Sequence, residues 1–102
     1  MTTKVIFRKF KSTGEIIAFF PEIPGTVNYA EDCLSYMHIG QHGAASLYPD
    51  STIPANKLEY NDLYNELVLI GYEDLKIYKR TSYKDFKIRY DSIKSVLNET
   101  IS

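Results

Sequence analysis

Tryptophan is absent from these 102 residues, and cysteine occurs once, at Cys33. A lone cysteine excludes an intramolecular disulfide framework and any all-cysteine metal site, and it fits a reducing, cytosolic setting. No apolar run approaches the roughly 18 residues that a membrane-spanning helix needs, and the N-terminus shows no signal-peptide pattern. Neither sign of charge dominates, because 12 basic and 13 acidic residues leave a formal net charge of −1. Bulk electrostatics therefore names no partner. The motif inventory is equally thin: there is no phosphate-binding P-loop, GxSxG elbow, CxxC pair, HExxH helix, EF-hand loop or readable pair of catalytic carboxylates. Without a constellation that can do chemistry, a non-enzymatic binding protein with no cofactor is the expectation.

What is present is ordinary globular material, 44% hydrophobic and 25% charged, which excludes a disordered or collagen-like chain. The length suits one domain spanning residues 1–102. A chain this short buries only about 65% of the surface its unfolded form exposes, so core material is scarce. Nine tyrosines and five phenylalanines supply much of it. Each tyrosine pairs a large apolar body with a hydroxyl that wants a partner or water. So many of them suit half-buried rims, sheet faces or a homodimer interface.

Val5 to Phe10 and Ile16 to Phe20 are apolar, β-branched and aromatic runs around a loop containing Gly14, the pattern of a β-hairpin. Pro21 is expected to end the second run, because proline cannot donate to a sheet ladder. Pro24-Gly25 fits the middle of a type II turn. Cys33 to Ile39 reads as a third strand with Leu34, Tyr36 and His38 on one face, and Leu47 to Pro54 as a loop. A capping box, Asn56 with Glu59, then opens a helix whose apolar stripe is Tyr60, Leu63, Tyr64, Leu67 and Ile70, with Gly71 as its stop. Tyr72 to Arg80 alternates like a fourth strand. From Thr81 or Ser82 a second helix places Tyr83, Phe86, Tyr90, Ile93 and Leu97 on a narrow seam, suited to a sheet or to a copy of itself. The order β-β-β-α-β-α predicts one α+β domain, a mainly antiparallel sheet with two helices on one side.

Charge is segregated along the chain. Residues 1–20 carry a balance of +3, residues 21–75 of −8 and residues 76–102 of +4. A basic face for phosphate or nucleic acid is one reading. Mutual neutralisation, within one molecule or between two, is the other. The near-zero total argues against nucleic acid as partner, and Lys84, Lys87, Arg89 and Lys94 spread around the exposed arc of the last helix rather than forming a line.

The least generic stretch is Tyr36-Met37-His38-Ile39-Gly40-Gln41-His42-Gly43, which gathers both histidines, two glycines and a glutamine in eight residues. It reads as a strand end delivering side chains into a glycine-permissive loop. Gly40 and Gly43 would let backbone N–H groups turn inward and a ligand approach closely. His38 and His42 would hydrogen-bond or pair with an anion, Gln41 would fix orientation, and Tyr36 would form the stacking wall. A short helix opening at Gly43 would add a favourable dipole. The candidate ligand-binding set is therefore Tyr36, His38, Gly40, Gln41, His42 and Gly43, with Arg8, Lys79 and Arg80 available to an anion if the fold brings them near. Three other readings stay open: a purely structural corner, a metal held by His38 and His42, and a Cys33–His nucleophilic pair.

Lys4 to Phe10, Ile17 to Gly25 and Ser35 to Gly43, continued by Glu59 to Leu63, Ile70 to Tyr72 and Lys79-Arg80, resemble an uncharacterised family of small proteins encoded by phages and bacterial mobile elements. The resemblance covers most of the chain. It implies a genomic setting, the cytoplasm of a bacterial host and the partners such accessory proteins often take: a host protein, or a signalling nucleotide of host defence. Ile17 to Gly25 is also similar to the strand and F-P-[DE]-[IL]-P-G turn of HicB-like antitoxins, which pair with a small RNA-cleaving toxin and begin with a β-hairpin. This chain departs from them at Tyr36 to Gly43 and carries no appended DNA-binding module.

Overall fold

The structure, a computed structural model, describes residues 2–27, 30–38, 41–46 and 51–101. In chain order the elements are β1 (Thr3–Phe10), β2 (Ile16–Pro24), β3 (Asp32–Met37), β4 (Gln41–Ser46), β5 (Thr52–Pro54), α1 (Lys57–Leu69), β6 (Leu75–Ile77) and α2 (Tyr83–Ile101). This is the expected α+β class, with two strands more than the sequence suggested. The sheet runs β4-β3-β2-β1-β5, and β6 pairs with β1 as well.

The hairpin forms as expected: Ile6 faces Phe19 and Lys9 faces Ile16, and Gly14 makes the turn at φ +77°. Pro21, however, does not end β2. The strand continues to Pro24 through a bulge between Phe20 and Pro24, and a bulge is where proline's missing donor costs least. Gly25 is not the left-handed residue of a type II turn either. A Cβ there would lie 2.7 Å from Ala44 and from the Cys33 carbonyl oxygen, so close approach of β4 is what requires glycine.

Alternation assigns the two faces of the sheet. Val5, Phe7, Ala18, Phe20 and Tyr36 share one face and pack with Leu63 and Leu67 of α1. Ile6, Ile17, Phe19 and Cys33 share the other. Lys9, in step with Phe7, pairs with Glu59 of α1, while Lys4, in step with Ile6, pairs with Asp85 of α2. The helices therefore cover opposite faces, not one side. Among the described side chains of α2, those buried are Asp85, Arg89 and Ile93. The aromatic seam expected to pack lies largely outward, with Tyr83 78% and Tyr90 52% exposed. Arg89, expected on the solvent arc, is buried and donates to the Ala30 and Pro21 carbonyls. The Pro21 carbonyl lies in the bulge and the Ala30 carbonyl in the turn before β3, and a guanidinium supplies donors to both at once.

The fourth expected strand shrinks to Leu75–Ile77 and runs parallel to β1 (Thr3 with Leu75, Val5 with Ile77). The outer edge of β1 is thus shared, its first half with β6 and its second half, Arg8 to Phe10, with β5. Among the described residues no helix is long and apolar enough to cross a membrane.

Candidate functional site

The segment read as a glycine loop is instead β4, paired antiparallel with β3 from Met37–Gln41 to Asp32–Ser46. No short helix opens at Gly43. His42 sits opposite Tyr36, so the two side chains share the α1 face of the sheet. Their rings meet edge to face, with centroids 4.7 Å apart and an interplanar angle of 64°. Tyr36 is buried and forms the floor; His42 is exposed above it.

The third member comes from beyond α1. The helix closes at Ile70, whose N–H donates to the Glu66 carbonyl at 3.0 Å, and Tyr72 N–H donates to the Leu67 carbonyl at 3.0 Å. These bonds fold the chain back so that the Tyr72 ring stacks on Phe20, 4.7 Å between centroids and nearly parallel. Its hydroxyl lies 2.9 Å from His42 Nε2. Burial pushes the Tyr72 phenol pKa above its usual 10.0, so it keeps its proton and can donate to an unprotonated Nε2. A cavity of about 440 Å³, lined by Tyr36, His42, Ile70, Gly71 and Tyr72, opens over this group.

His38 goes elsewhere. It follows β3 in a turn, about 75% exposed, with Nδ1 2.6 Å from Glu66 Oε1. It lines a separate cavity of about 350 Å³ that also holds Glu15, Glu59 and Asp62. The two histidines thus lie on one face without converging. Among the described residues no three metal-ligating side chains gather. Gly43 points to the α2 face, and its carbonyl accepts from Ser35 Oγ at 3.0 Å, so it makes no inward nest. Gly40 lies outside the described residues, as does the Gln41 side chain, although the Gln41 backbone pairs with Met37.

The other named groups divide in the same way. Arg8 is committed to Thr52, through Nε to Oγ1 at 3.0 Å and Nη2 to the carbonyl at 2.9 Å. Lys79 lines a different cavity. Cys33 is fully buried on the α2 face, and burial pushes its thiol up to about 11. A Cys33–His pair is therefore ruled out by geometry as well as by acidity, since the thiolate is the nucleophile. Tyr72 escaped the sequence reading because it opens the run Tyr72 to Arg80, in which Leu75 and Ile77 alternate with Lys76 and Tyr78 like a strand. The signal available was the helix stop at Gly71, which turns the next residue back onto the sheet.

Comparison with protein-family models, with curated proteins and with solved structures finds no significant match. Fold and site together define a single α+β domain, a mainly antiparallel sheet between two helices, with a histidine-tyrosine corner at its β4 edge.

Proposed function

We propose that this protein is a small, non-catalytic accessory protein of a phage or mobile element, which holds a small polar ligand in the cytoplasm of its bacterial host. The ligand sits at the corner of Tyr36, His42 and Tyr72. The observation that carries this reading is the exposed His42 imidazole, bonded to a phenol that itself rests on the core. Its ring nitrogens and the Tyr72 hydroxyl offer donors and acceptors above an aromatic floor, the mixture that fixes a polar ligand in a concave site. Because the phenol is anchored by Phe20, little freedom remains to be lost on binding. The resemblance of the chain to small mobile-element proteins supplies the biological setting.

The test is thermal stabilisation of the protein by ADP-ribose and by cyclic mononucleotides. A probe at 100 times its dissociation constant should stabilise by roughly 2.7 kcal/mol. Tyr72→Phe and His42→Ala should abolish the shift. Stabilisation by none of the probes, or stabilisation unchanged in both variants, removes the proposal.

A protein partner is the second reading, supported by β4 itself, which ends the strand order and carries His42. An open edge accepts a further strand, from a host factor, a toxin of the HicB-paired kind or a second copy of this chain. Light scattering decides the last of these: a mass near 11.8 kDa at micromolar concentration rejects the homodimer. Co-purification with the product of a neighbouring small gene is what the antitoxin reading requires.

A further inference from the structure

A larger cavity, about 540 Å³, lies on the opposite sheet edge from His42. It arises where the outer edge of β1 changes partner. The Val5 carbonyl accepts from Tyr78 N–H at 2.9 Å, just past β6, and the Phe7 carbonyl accepts from Ala55 N–H at 3.2 Å, just past β5. These strands run along β1 in opposite senses, so their C-terminal ends, Ile77 and Pro54, face each other and border a gap over Phe7. The volume falls within the roughly 300–1,000 Å³ of small-molecule sites.

The gap has apolar walls and a cationic mouth. Phe7 and Tyr60 form its base, stacked with centroids 4.5 Å apart. Pro54 and Ile77 flank it from the two strands. Tyr78 closes one side and carries the Lys4 ammonium 4.5 Å from its ring centroid. Lys57 and Lys79 also line the cavity, both exposed, and among the described residues no carboxylate does. Lys4 is already held by Asp85, so the charge offered to a ligand is that of the two exposed lysines.

We infer that this cavity is a second binding site, for a small planar ring bearing a phosphate or carboxylate group. The ring lies between the Pro54 and Ile77 walls over Phe7, where it gains apolar contact on both sides. The anionic group projects to the mouth, between the Lys57 and Lys79 ammonium groups. This site is independent of the His42 corner: it lies on other elements, at the opposite edge of the sheet, and its charged groups are lysines.

The experiment is an amide-resolved NMR titration with adenosine monophosphate and with indole-3-carboxylate, using adenosine and inorganic phosphate as ring-only and charge-only controls. At least one ring anion should give saturable shifts at the amides of Lys57, Tyr78 and Lys79, weakened about tenfold or more in K57E/K79E and unchanged in His42→Ala. Neither control should saturate in that range. A response to adenosine monophosphate alone identifies a phosphate ligand, and one to the indole alone a carboxylate. Both lysines are exposed, so the variant should keep the wild-type spectrum elsewhere, and the milder K57Q/K79Q pair must weaken binding in the same direction. The proposal is overturned if neither ring anion saturates below about 10 mM, if the shifts centre on His42 and Tyr72, or if both lysine pairs bind as the parent does.

Discussion

α1 meets the sheet with Leu63 and Leu67, whereas α2 meets it with Asp85, Arg89 and Ile93. On the α1 face the buried contacts are apolar and aromatic, Phe7 stacking on Tyr60 and Phe20 on Tyr72, while the Lys9–Glu59 pair is half-buried. On the α2 face buried charged groups join Ile93 and the apolar side chains of the sheet. Lys4 Nζ reaches both Asp85 oxygens at 2.9 and 2.8 Å, Asp85 also accepts from Ser82 N–H at 2.8 Å, and Arg89 ties the helix to the β2 bulge. Apolar burial stabilises without directing, while a buried ion pair is near neutral in net energy but severe when broken. The α2 face therefore defines where its helix sits more than its ion pair adds to stability, and both candidate sites stand on the α1 side.

The sharpest way to break this contrast is Asp85→Ala. It strands the Lys4 ammonium in a buried position and should cost about 3–5 kcal/mol in denaturant unfolding, most of which K4M/D85L should recover. A loss below about 1 kcal/mol would mean that the α2 face is not held by charge. Leu67→Ala, fully buried on the α1 side, should cost about 3 kcal/mol with no comparable rescue by a charged partner.

Cys33 sharpens the comparison through pH. Its thiol is raised from 9.0 to about 11 by burial, so the folded state keeps a proton that the unfolded chain releases. The resulting stabilisation is full below pH 9.0 and is lost as pH rises toward about 11. It amounts to roughly 2–3 kcal/mol. Stability measured across that window should decline more in the parent than in Cys33→Ala; equal slopes would show the α2 face open to water.

The smallest effect is at the entry to α1. Asn56→Ala removes the side-chain acceptor 2.9 Å from Glu59 N–H and should cost about 1 kcal/mol. Glu59 itself is held below its usual 4.5 by the Asn56 N–H and by Lys9. Its stabilisation is complete above that value and disappears as pH falls through the depressed one, a loss that Glu59→Gln should remove from the acid limb.

Short-range chemistry explains which elements could be read from the chain alone. The capping box needs only residues three apart, and the hairpin only a turn between two apolar runs, so both form as written. The Leu34–Tyr36 face was legible for the same reason, because alternation is a local property. β4 was not: Gln-His-Gly-Ala-Ala-Ser has no strand propensity of its own, and its extended form follows from pairing with β3. The α2 seam was misread because the most apolar stripe was assumed to be the buried one. Asp85 and Arg89 go inside because Lys4 and the Pro21 and Ala30 carbonyls wait there, and no periodicity reveals such partners.

Composition and pattern by themselves determined an α+β domain, its hairpin, both helices and the segment that carries the candidate histidines. Only the tertiary structure decided that His42 joins Tyr72 while His38 turns to Glu66, that the helices take opposite faces, and that Lys57 and Lys79 line one cavity. The physical reason is distance along the chain. His42 and Tyr72 are 30 residues apart, and which side chains meet across such a separation is set by strand register and helix ends rather than by any local preference.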